Sequence, residues 1–251
     1  MVTLTINGKT VEAEEGTYVL AAARDLGIDI PAACAHGAVE PFSACRLCMV
    51  EIQKKGWTDD WTKMVASCIY PVEEGLKVWT DSERVIRVRK TLFELLLARC
   101  PESDVVREWA KKYGVESTDF TDRKPADKCI LCATCTRVCA KMGAAAISTN
   151  QRGTQKRVGA PFGEPKDCIG CLSCAHNCPT GHIQYKETED SRKIWNKSFE
   201  MAKCSECGKT HITKEQVKHY VKTNGLSEDH FLICDECKQK RTADVFAGLT
   251  V

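Results

Sequence analysis

Seventeen cysteines are the residues of this 251-residue chain best suited to chemistry, and many of them lie at short, regular spacings. Two runs share one pattern, in which two, two and three residues separate successive cysteines, and a proline follows the second run. The runs are Cys129, Cys132, Cys135 and Cys139, and Cys168, Cys171, Cys174 and Cys178. Such short steps let one tight loop present three thiolates to a single inorganic core, as in [4Fe-4S] ligation. The sequence therefore predicts two cubane clusters.

This spacing is that of a bacterial two-cluster ferredoxin, in which the fourth cysteine of each run ligates the other cluster. We therefore expect two crossed ligand sets. They are Cys129, Cys132, Cys135 and Cys178 for one cubane, and Cys168, Cys171, Cys174 and Cys139 for the second. Disulfide pairing would instead require an oxidising compartment and a domain that needs covalent staples. A chain of this length can bury a core without disulfides, and the spacing favours clusters.

Four cysteines in the first 70 residues are separated by ten, two and nineteen residues: Cys34, Cys45, Cys48 and Cys68. Four thiolates suit one [2Fe-2S] cluster. Upstream, apolar residues alternate with polar ones on either side of Asn7-Gly8, a dipeptide that favours a type I′ hairpin turn. Residues 17–26 then carry apolar side chains at helical spacing, and Gly27 is placed to end that helix in the left-handed conformation.

A hairpin, a helix and a cysteine loop rich in small residues is the element order of a β-grasp ferredoxin. Plant-type ferredoxins place four residues between the first two cysteines, whereas this chain has ten, so that similarity is architectural. The segment 34–68, with CRLCMVE at 45–51, more closely resembles the N-terminal domain of the large iron-sulfur subunit of respiratory complex I. It is also similar to the iron-sulfur subunit of the diaphorase module in NAD-linked hydrogenases, and the resemblance spans roughly residues 1–180.

This resemblance implies partners. One would be a flavoprotein similar to the NADH-oxidising subunit of complex I, carrying FMN. The other would be a catalytic subunit such as a hydrogenase or formate dehydrogenase. The complexes implied include electron-bifurcating assemblies. The relatives also hold an additional cubane at a His-x3-Cys-x2-Cys-x5-Cys site, where this chain has Cys100 alone. We therefore expect that cluster to be missing, Cys100 to be a buried free thiol, and Ser103 to cap a helix that ends at Gly114.

The segment 82–99, just before Cys100, is predicted to be an amphipathic helix that packs the redox domains together. Its apolar face is expected to comprise Val85, Val88, Leu92 and Leu95 or Leu96. The basic side chains are expected on its solvent-exposed surface: Arg84, Arg87, Arg89 and Lys90.

Two Cys-x2-Cys pairs near the C-terminus form a further candidate metal site: Cys204 and Cys207, and Cys234 and Cys237. Between them, Thr213-x-x-Gln216 predicts a capped helix that ends near Gly225. Zinc is the default occupant of a closed site with four thiolates, and its binding folds a segment too short to fold alone. A third cubane and a single iron ion are the alternatives. His211, His219 and His230 are interpreted as surface or packing residues.

Composition limits the function further. Lysine and arginine total 36 against 34 acidic residues, a balance that argues against a nucleic-acid-binding zinc ribbon. The sequence shows no complete phosphate-binding or dinucleotide-binding glycine motif, so no substrate site of its own is expected. No charged leader with an apolar run opens the chain, and no apolar stretch approaches eighteen residues. We expect a cytoplasmic protein without a transmembrane segment.

The predicted fold class is α+β, with four parts. These are a β-grasp [2Fe-2S] domain at 1–80, a helical connector at 81–124, a dicluster bacterial-ferredoxin domain at 125–190, and a zinc-ribbon-like domain with four cysteines at 200–251. A protein with clusters and no substrate site conducts electrons between partners. We therefore expect an electron-transfer subunit of a multisubunit oxidoreductase, and the alternative is a freestanding polyferredoxin that shuttles electrons between enzymes.

Overall fold

The computed structural model describes residues 1–58, 60–121 and 128–247, which fall into two compact units. The first unit comprises the described residues up to 134, together with 151–157 and 179–182. The second comprises 135–150, 158–178 and the described residues from 183 onward. Within the described residues, no helix is both long and apolar enough to cross a membrane.

The first unit contains a five-stranded mixed sheet in the order β2-β1-β5-β3-β4. Its strands are β1 (Val2–Ile6), β2 (Lys9–Ala13), β3 (Met49–Gln53), β4 (Lys63–Ala66) and β5 (Lys77–Trp79). The central pairing of β1 with β5 is parallel, and the other neighbours pair antiparallel. One face of this sheet buries an apolar core that also takes in helix α1 (Val19–Asp25).

The predicted hairpin is confirmed. Strands β1 and β2 pair from Val2 opposite Ala13 to Ile6 opposite Lys9, and Asn7 and Gly8 both adopt positive φ values, 50° and 78°. Leu4 and Ile6 point into the core, as the alternation predicted. The predicted helix is also confirmed, with Gly27 at φ 75° just after it.

Helix α2 (Glu83–Arg99) follows the sheet and begins at Ser82, whose side chain accepts a hydrogen bond from the Val85 backbone N–H. Its predicted apolar face is wrong in detail. The fully buried positions recur every four residues, at Val85, Arg89, Phe93 and Leu97, whereas Val88 and Leu92 are half-buried and Leu95 is exposed. Arg89, expected at the surface, is only 3% exposed because backbone carbonyls of the sheet side accept its hydrogen bonds.

Helix α3 (Asp104–Lys112) packs on α2 and has the cap that was predicted. The Ser103 side chain accepts a hydrogen bond from the Val106 backbone N–H, and Gly114 lies just beyond the helix at φ 70°. Together α2 and α3 bury a second apolar core, which contains Phe93, Leu97 and Val106.

The second unit contains short elements around its cysteine loops and a larger sheet toward the C-terminus. The short elements are α4 (Thr134–Lys141), the paired strands β6 (Ser148–Asn150) and β7 (Arg157–Gly159), and α5 (Ser173–His176). The sheet has the order β11-β10-β9-β8, all antiparallel, with β8 (Tyr185–Glu187), β9 (Ser191–Ile194), β10 (Lys197–Lys203) and β11 (Thr210–Thr213). It spans the interval between the two predicted C-terminal domains, whose boundaries stay a prediction.

Two local features organise that sheet. Strands β9 and β10 are joined by Trp195 and Asn196, both with positive φ (53° and 63°), as a tight I′-type turn requires. After β11, helix α6 (Lys214–Asn224) carries the predicted capping box of Thr213 and Gln216 and ends at Gly225. Helix α7 (Asp235–Ala247) ends the described chain, and short 3-10 turns lie at Gly153–Gln155, Pro161–Gly163 and Glu228–Phe231.

Candidate metal centres

The first centre brings together the four cysteines that the sequence assigns to a [2Fe-2S] cluster. Cys34 and Cys45 lie in the long loop between α1 and β3, Cys48 directly precedes β3, and Cys68 follows β4. None of the four side chains is more than 9% exposed. Thiol contacts link Cys45 to Cys34, Cys34 to Cys68, and Cys68 to Cys48. The fold thus gathers four sulfurs from two loops into one buried group.

Hydrogen bonds between the thiols divide the four cysteines into two pairs, one with a lowered pKa and one with a raised pKa. Hydrogen bonds from Cys45 and Cys68 lower the pKa of Cys34, and a hydrogen bond from Cys68 lowers the pKa of Cys48. The donors behave oppositely, since hydrogen bonding to Cys34 raises the pKa of both Cys45 and Cys68. Hydrogen bonding therefore favours the thiolate form, which ligates iron, at Cys34 and Cys48, and the thiol form at Cys45 and Cys68.

The backbone of this loop is shaped for the same purpose. Ser43 and Arg46 are non-glycine residues at positive φ, 55° and 60°, on either side of Cys45. Such conformations cluster at functional sites, and alternating right- and left-handed residues direct successive N–H groups into one concavity that suits anions. The Ser67 side chain fixes the far side by donating to the Cys48 carbonyl at 2.8 Å.

Arg89 of α2 holds the Cys48 loop from behind. Its Nε donates to the Leu47 carbonyl at 3.2 Å and its Nη2 donates to the Met49 carbonyl at 2.9 Å, so the two bonds flank Cys48. The guanidinium also lies 5.9 Å from the ring centroid of Tyr113. Burial lowers the pKa of Arg89, yet an arginine keeps its charge in a protein. Sequence reasoning missed this residue, although its spacing of four from Val85 and Phe93 was a usable signal.

The core between α2 and α3 contains cysteines from two of the predicted ligand sets. It contains Cys34 and Cys45 of the first set and also Cys132 of the first cubane run. Cys100 lies in the same core and is fully buried at the end of α2, as expected for a structural cysteine. Cysteines assigned to two different clusters are therefore packed in one apolar environment.

The two cubane runs lie in loops with the same backbone strain. Leu131, Ala133 and Leu172 are non-glycine residues with φ between 53° and 61°, and Gly170 adopts φ 71°. Four of the eight cysteines in these runs are buried, namely Cys132, Cys135, Cys139 and Cys174. The other four are half-buried, namely Cys129, Cys168, Cys171 and Cys178. A tight loop with left-handed residues between cysteines presents several sulfurs and N–H groups to one point.

Cys139 lies in the electrostatic neighbourhood of the second run. Burial raises its pKa, and a charge on Cys171 raises it further. Burial likewise raises the pKa of Cys174 to about 12, with further contributions from Cys171, Cys139 and Cys168. Cys139, the fourth cysteine of the first run, therefore lies near enough to the second run for its charge to raise the pKa of Cys168 and Cys174.

Several N–H groups point at the sulfurs of this second set, from the backbone and from one indole ring. The Ala146 backbone N–H donates to the Cys139 Sγ at 3.3 Å, and the Trp195 indole Nε1–H donates to the Cys174 Sγ at 3.4 Å. Hydrogen bonds to cluster sulfurs are one of the means by which a protein sets a reduction potential. No sequence pattern indicated a role for Trp195, which lies 21 residues from its partner.

The C-terminal centre is more compact than the others. The Sγ atoms of Cys204, Cys207, Cys234 and Cys237 all lie within 4.8 Å of one another. Cys207 and Cys234 are separated by 3.8 Å between their sulfurs. The backbone N–H of Cys234 donates to the Cys204 Sγ at 3.3 Å and, with that of Cys207, lowers the pKa of the Cys204 thiol to about 6. The sequence-predicted set is thus assembled as a metal site.

These sulfur distances fit one tetrahedral ion. With a zinc-sulfur bond of about 2.3 Å, the edge of a regular tetrahedron of sulfurs is about 3.8 Å. A cubane attaches each thiolate to a different iron and therefore spreads them more widely. The nearby histidines have packing roles, as interpreted: the His211 Nε2 lies 3.0 Å from the Phe231 carbonyl oxygen, the His219 Nε2 lies 3.1 Å from that of Met142, and His230 is exposed.

Comparison with known families identifies two domains. Residues 1–83 match the family described as "2Fe-2S iron-sulfur cluster binding domain", and residues 128–182 match that described as "4Fe-4S dicluster domain". These matches enclose the first cysteine set and both cubane runs. The C-terminal site lies outside them.

Similar proteins extend over most of the chain. NADPH-Fe(3+) oxidoreductase subunit alpha of Geobacter sulfurreducens is 31% identical over 82% of this chain. The mitochondrial NADH-ubiquinone oxidoreductase 78 kDa subunit of Candida albicans is 28% identical over 77%. NADP-reducing hydrogenase subunit HndD of Solidesulfovibrio fructosivorans is 29% identical over 73%. The chain spans only 27 to 36% of the length of these three relatives.

A solved structure gives the same indication. A chain of an NAD+-reducing [NiFe]-hydrogenase in the H2-reduced state aligns with a TM-score of 0.63 and 28% identity. The alignment covers 72% of this chain and 85% of the hydrogenase chain. The chain is therefore an iron-sulfur protein that resembles the N-terminal part of the complex I large iron-sulfur subunit and the iron-sulfur subunit of NAD-linked hydrogenases, as its cysteine pattern indicated.

Proposed function

We propose that this chain is an electron-transfer subunit of a cytoplasmic multisubunit oxidoreductase. It relays electrons between a flavin-containing subunit that oxidises NADH or NADPH and a catalytic subunit such as a hydrogenase or formate dehydrogenase. The observation that carries the proposal is the shared core of α2 and α3, where Cys34 and Cys45 are packed together with Cys132. Cysteines of two clusters in one core place successive redox groups close together, as a relay requires.

The ligand assignment follows from the cysteine sets. A [2Fe-2S] cluster is held by Cys34, Cys45, Cys48 and Cys68, and the two cubanes are held by the crossed sets that the two-cluster pattern gives. The effect of Cys171 on the pKa of Cys139, and that of Cys139 on the pKa of Cys174, support the crossing for the second cubane. Bound there, the clusters accept and release single electrons, while the protein fixes their positions and their surroundings.

The sheet order and helix α1 of the first unit support a β-grasp assignment for residues 1–80. Helices α2 and α3 would then be the connector at 81–124, followed by the dicluster domain at 125–190 and the four-cysteine domain at 200–251. The connector boundary and the start of the dicluster domain fall at or near residues 122–127, outside the described residues.

Partners are inferred from the relatives. The names of the similar proteins describe subunits of NADPH-linked, NADH-linked and hydrogenase enzymes. A subunit that carries clusters but no nucleotide motif needs a neighbour that binds the nucleotide, and we propose a flavoprotein for that role. The terminal acceptor is a separate catalytic subunit.

We also propose zinc for the C-terminal site. The sulfur separation of 3.8 Å between Cys207 and Cys234 matches the edge of a tetrahedral zinc site and is too short for thiolates on a cubane. X-ray absorption at the zinc and iron edges of the purified protein, with Cys207→Ser as the variant, decides the metal. We expect one zinc per chain that is lost in the variant. Loss of iron from the variant, with no zinc in the wild-type protein, would contradict zinc.

The cluster content is tested by metal analysis. The proposal predicts about ten irons per anaerobically reconstituted chain and EPR signals from one [2Fe-2S] and two [4Fe-4S] clusters on stepwise reduction. About fourteen irons would mean a fourth polynuclear cluster, and about six would mean that one cubane run does not hold a cluster.

The relay itself is tested by isolating the protein anaerobically at its natural abundance. A flavoprotein and a catalytic subunit that copurify in fixed ratio, with NADH or NADPH reducing the clusters only when the flavoprotein is present, would support the proposal. An isolated monomer that is reduced by several unrelated enzymes would favour the freestanding polyferredoxin instead.

A further inference from the structure

The second cysteine run is surrounded by side chains from the C-terminal sheet, a part of the chain that lies outside both matched domains. Three of these side chains donate to backbone carbonyls of residues 166–170. The Lys197 Nζ donates to the carbonyls of Lys166 and Cys168, at 2.8 Å and 2.9 Å. The sheet thus reaches the loop at the start of the second cysteine run.

Two buried residues make further contacts with the same loop. Arg192 is 8% exposed, and its Nη1 donates to the Gly170 carbonyl at 2.8 Å. Thr213 is fully buried, and its Oγ1 donates to the Ile169 carbonyl at 2.5 Å while accepting from the Gln216 N–H as the cap of α6. Consecutive carbonyls of the cysteine loop are therefore satisfied by β9 and by the end of β11.

Apolar packing completes the contact. The Phe199 ring of β10 is 1% exposed and lies against Gly170, where an added Cβ would be 2.8 Å from the ring. Gly170 also adopts φ 71°, so both its conformation and its neighbour require glycine. Phe199 and Ile194 belong to the same core as Cys139 and Cys174.

A contact to a cysteine sulfur comes from the hairpin turn. Trp195 occupies a left-handed position between β9 and β10, and its indole N–H donates to the Cys174 Sγ at 3.4 Å. A bulky residue in that conformation costs free energy, and the conformation persists where the surroundings over-determine it. Here the turn aims the N–H of the indole ring at a sulfur.

We infer that strands β9 to β11 form a redox cap, which fixes the loop at residues 166–174 and raises the reduction potential of the cubane held there through Trp195 and Lys197. Reduction adds one negative charge to the cluster, and an N–H donor at a ligand sulfur together with a nearby ammonium stabilises that charge. The inference rests on the proposed assignment of the second cubane to Cys139, Cys168, Cys171 and Cys174.

The test is a potentiometric titration of the reconstituted full-length chain, followed by EPR. Trp195→Phe keeps an aromatic ring and removes the N–H donor. We expect the midpoint potential of one cubane to move to a more negative value, while the other cubane and the [2Fe-2S] cluster keep theirs. Trp61→Phe, at an exposed position between β3 and β4, is the matched control and should move no potential.

A second variant removes a charge and leaves the turn residue Trp195 unchanged. Lys197→Gln removes the ammonium near Cys168 and should shift the same cubane in the same direction, whereas Lys193→Gln, exposed on β9, should not. If Trp195→Phe fails to bind iron, the Lys197 result decides. Full iron content with unchanged potentials in both variants would overturn the redox cap. A wild-type chain without two cubane signals would instead overturn the proposed cluster assignment.

Discussion

The [2Fe-2S] loop and the second cubane loop are held by the same kind of contact from very different sources. Behind Cys48, one residue of a helix, Arg89, donates to two backbone carbonyls. Around residues 166–174, a sheet supplies Arg192, Thr213, Lys197 and Phe199. In both cases side-chain donors bind backbone carbonyls of a loop that carries cysteines.

The arginines that contact the two loops differ in how their charge is balanced. Arg192 forms an ion pair with Glu187 at 2.7 Å, so its charge is largely neutralised. Arg89 instead lies next to the loop that carries Cys45 and Cys48, and Tyr113 first, then Cys48 and Asp81, oppose the lowering of its pKa by burial. We therefore expect the helix to act on its cluster through the buried Arg89 charge, and the sheet to act through the Trp195 N–H and the Lys197 ammonium.

The largest expected effect tests whether the two regions lose metal independently. Cys48→Ser removes a buried ligand of the first set and should abolish the [2Fe-2S] EPR signal while both cubane signals persist, because each loop has its own ligands and its own support. Iron analysis should fall from about ten to about eight per chain. Simultaneous loss of all three cluster signals would show that the two regions bind metal as one cooperative unit.

The next effect separates charge from structure at the helix side. Arg89→Met leaves the Leu47 and Met49 carbonyls without this donor and should lower the free energy of unfolding by about 1–3 kcal/mol. It should also move the [2Fe-2S] midpoint potential to a more negative value, measured by EPR titration.

Arg89→Lys keeps the charge and should retain most of the potential while still weakening the fold, since an ammonium cannot reach both carbonyls in fork geometry. Arg87→Met is the control, because Arg87 is exposed on the same helix and its charge is screened by water. An unchanged [2Fe-2S] potential in Arg89→Met would show that the buried charge of Arg89 does not act on the cluster.

A further effect is expected at the sheet side. Gly170→Ala should destabilise the second unit by about 2–4 kcal/mol, because the new methyl group meets Phe199 and the backbone also stays at positive φ. Gly225→Ala is the matched control, since its φ of 65° is similar and its surroundings are open. The control should cost about 1 kcal/mol, from backbone strain alone. Equal losses by chemical denaturation would mean that Phe199 does not press on the loop.

Sequence and structure agree where the signal is local. The Asn7-Gly8 turn, the Ser103 cap and the Thr213 capping box depend on residues within a few positions of one another, and each forms as predicted. The C-terminal group of four cysteines also follows from spacing, and its sulfurs meet in the structure, whereas the cluster ligand sets stay predictions.

The misses depend on distant partners. Periodicity assigned Val88 and Leu92 to the buried face of α2, whereas Arg89 takes that place because its acceptors are carbonyls 40 and 42 residues away. Trp195 lies in a stretch that belongs to neither predicted domain, and its role depends on a sulfur 21 residues back. Apolar patterning ranks side chains by hydrophobicity and cannot find a long polar side chain that is buried with its partners.

The smallest expected effect links the C-terminal metal to the sheet side alone. Strand β10 carries Phe199 and ends directly before Cys204, so the metal site anchors the strand that presses on the cysteine loop. Cys207→Ser removes an exposed ligand and should release the metal, loosen β10 and β11 in hydrogen exchange, and shift one cubane potential by less than Trp195→Phe does. The [2Fe-2S] potential should not move, since its support comes from α2. A shift of the [2Fe-2S] potential, or faster hydrogen exchange in β1 and β5, would show that the metal stabilises both regions. The supports of the two loops would then not be independent.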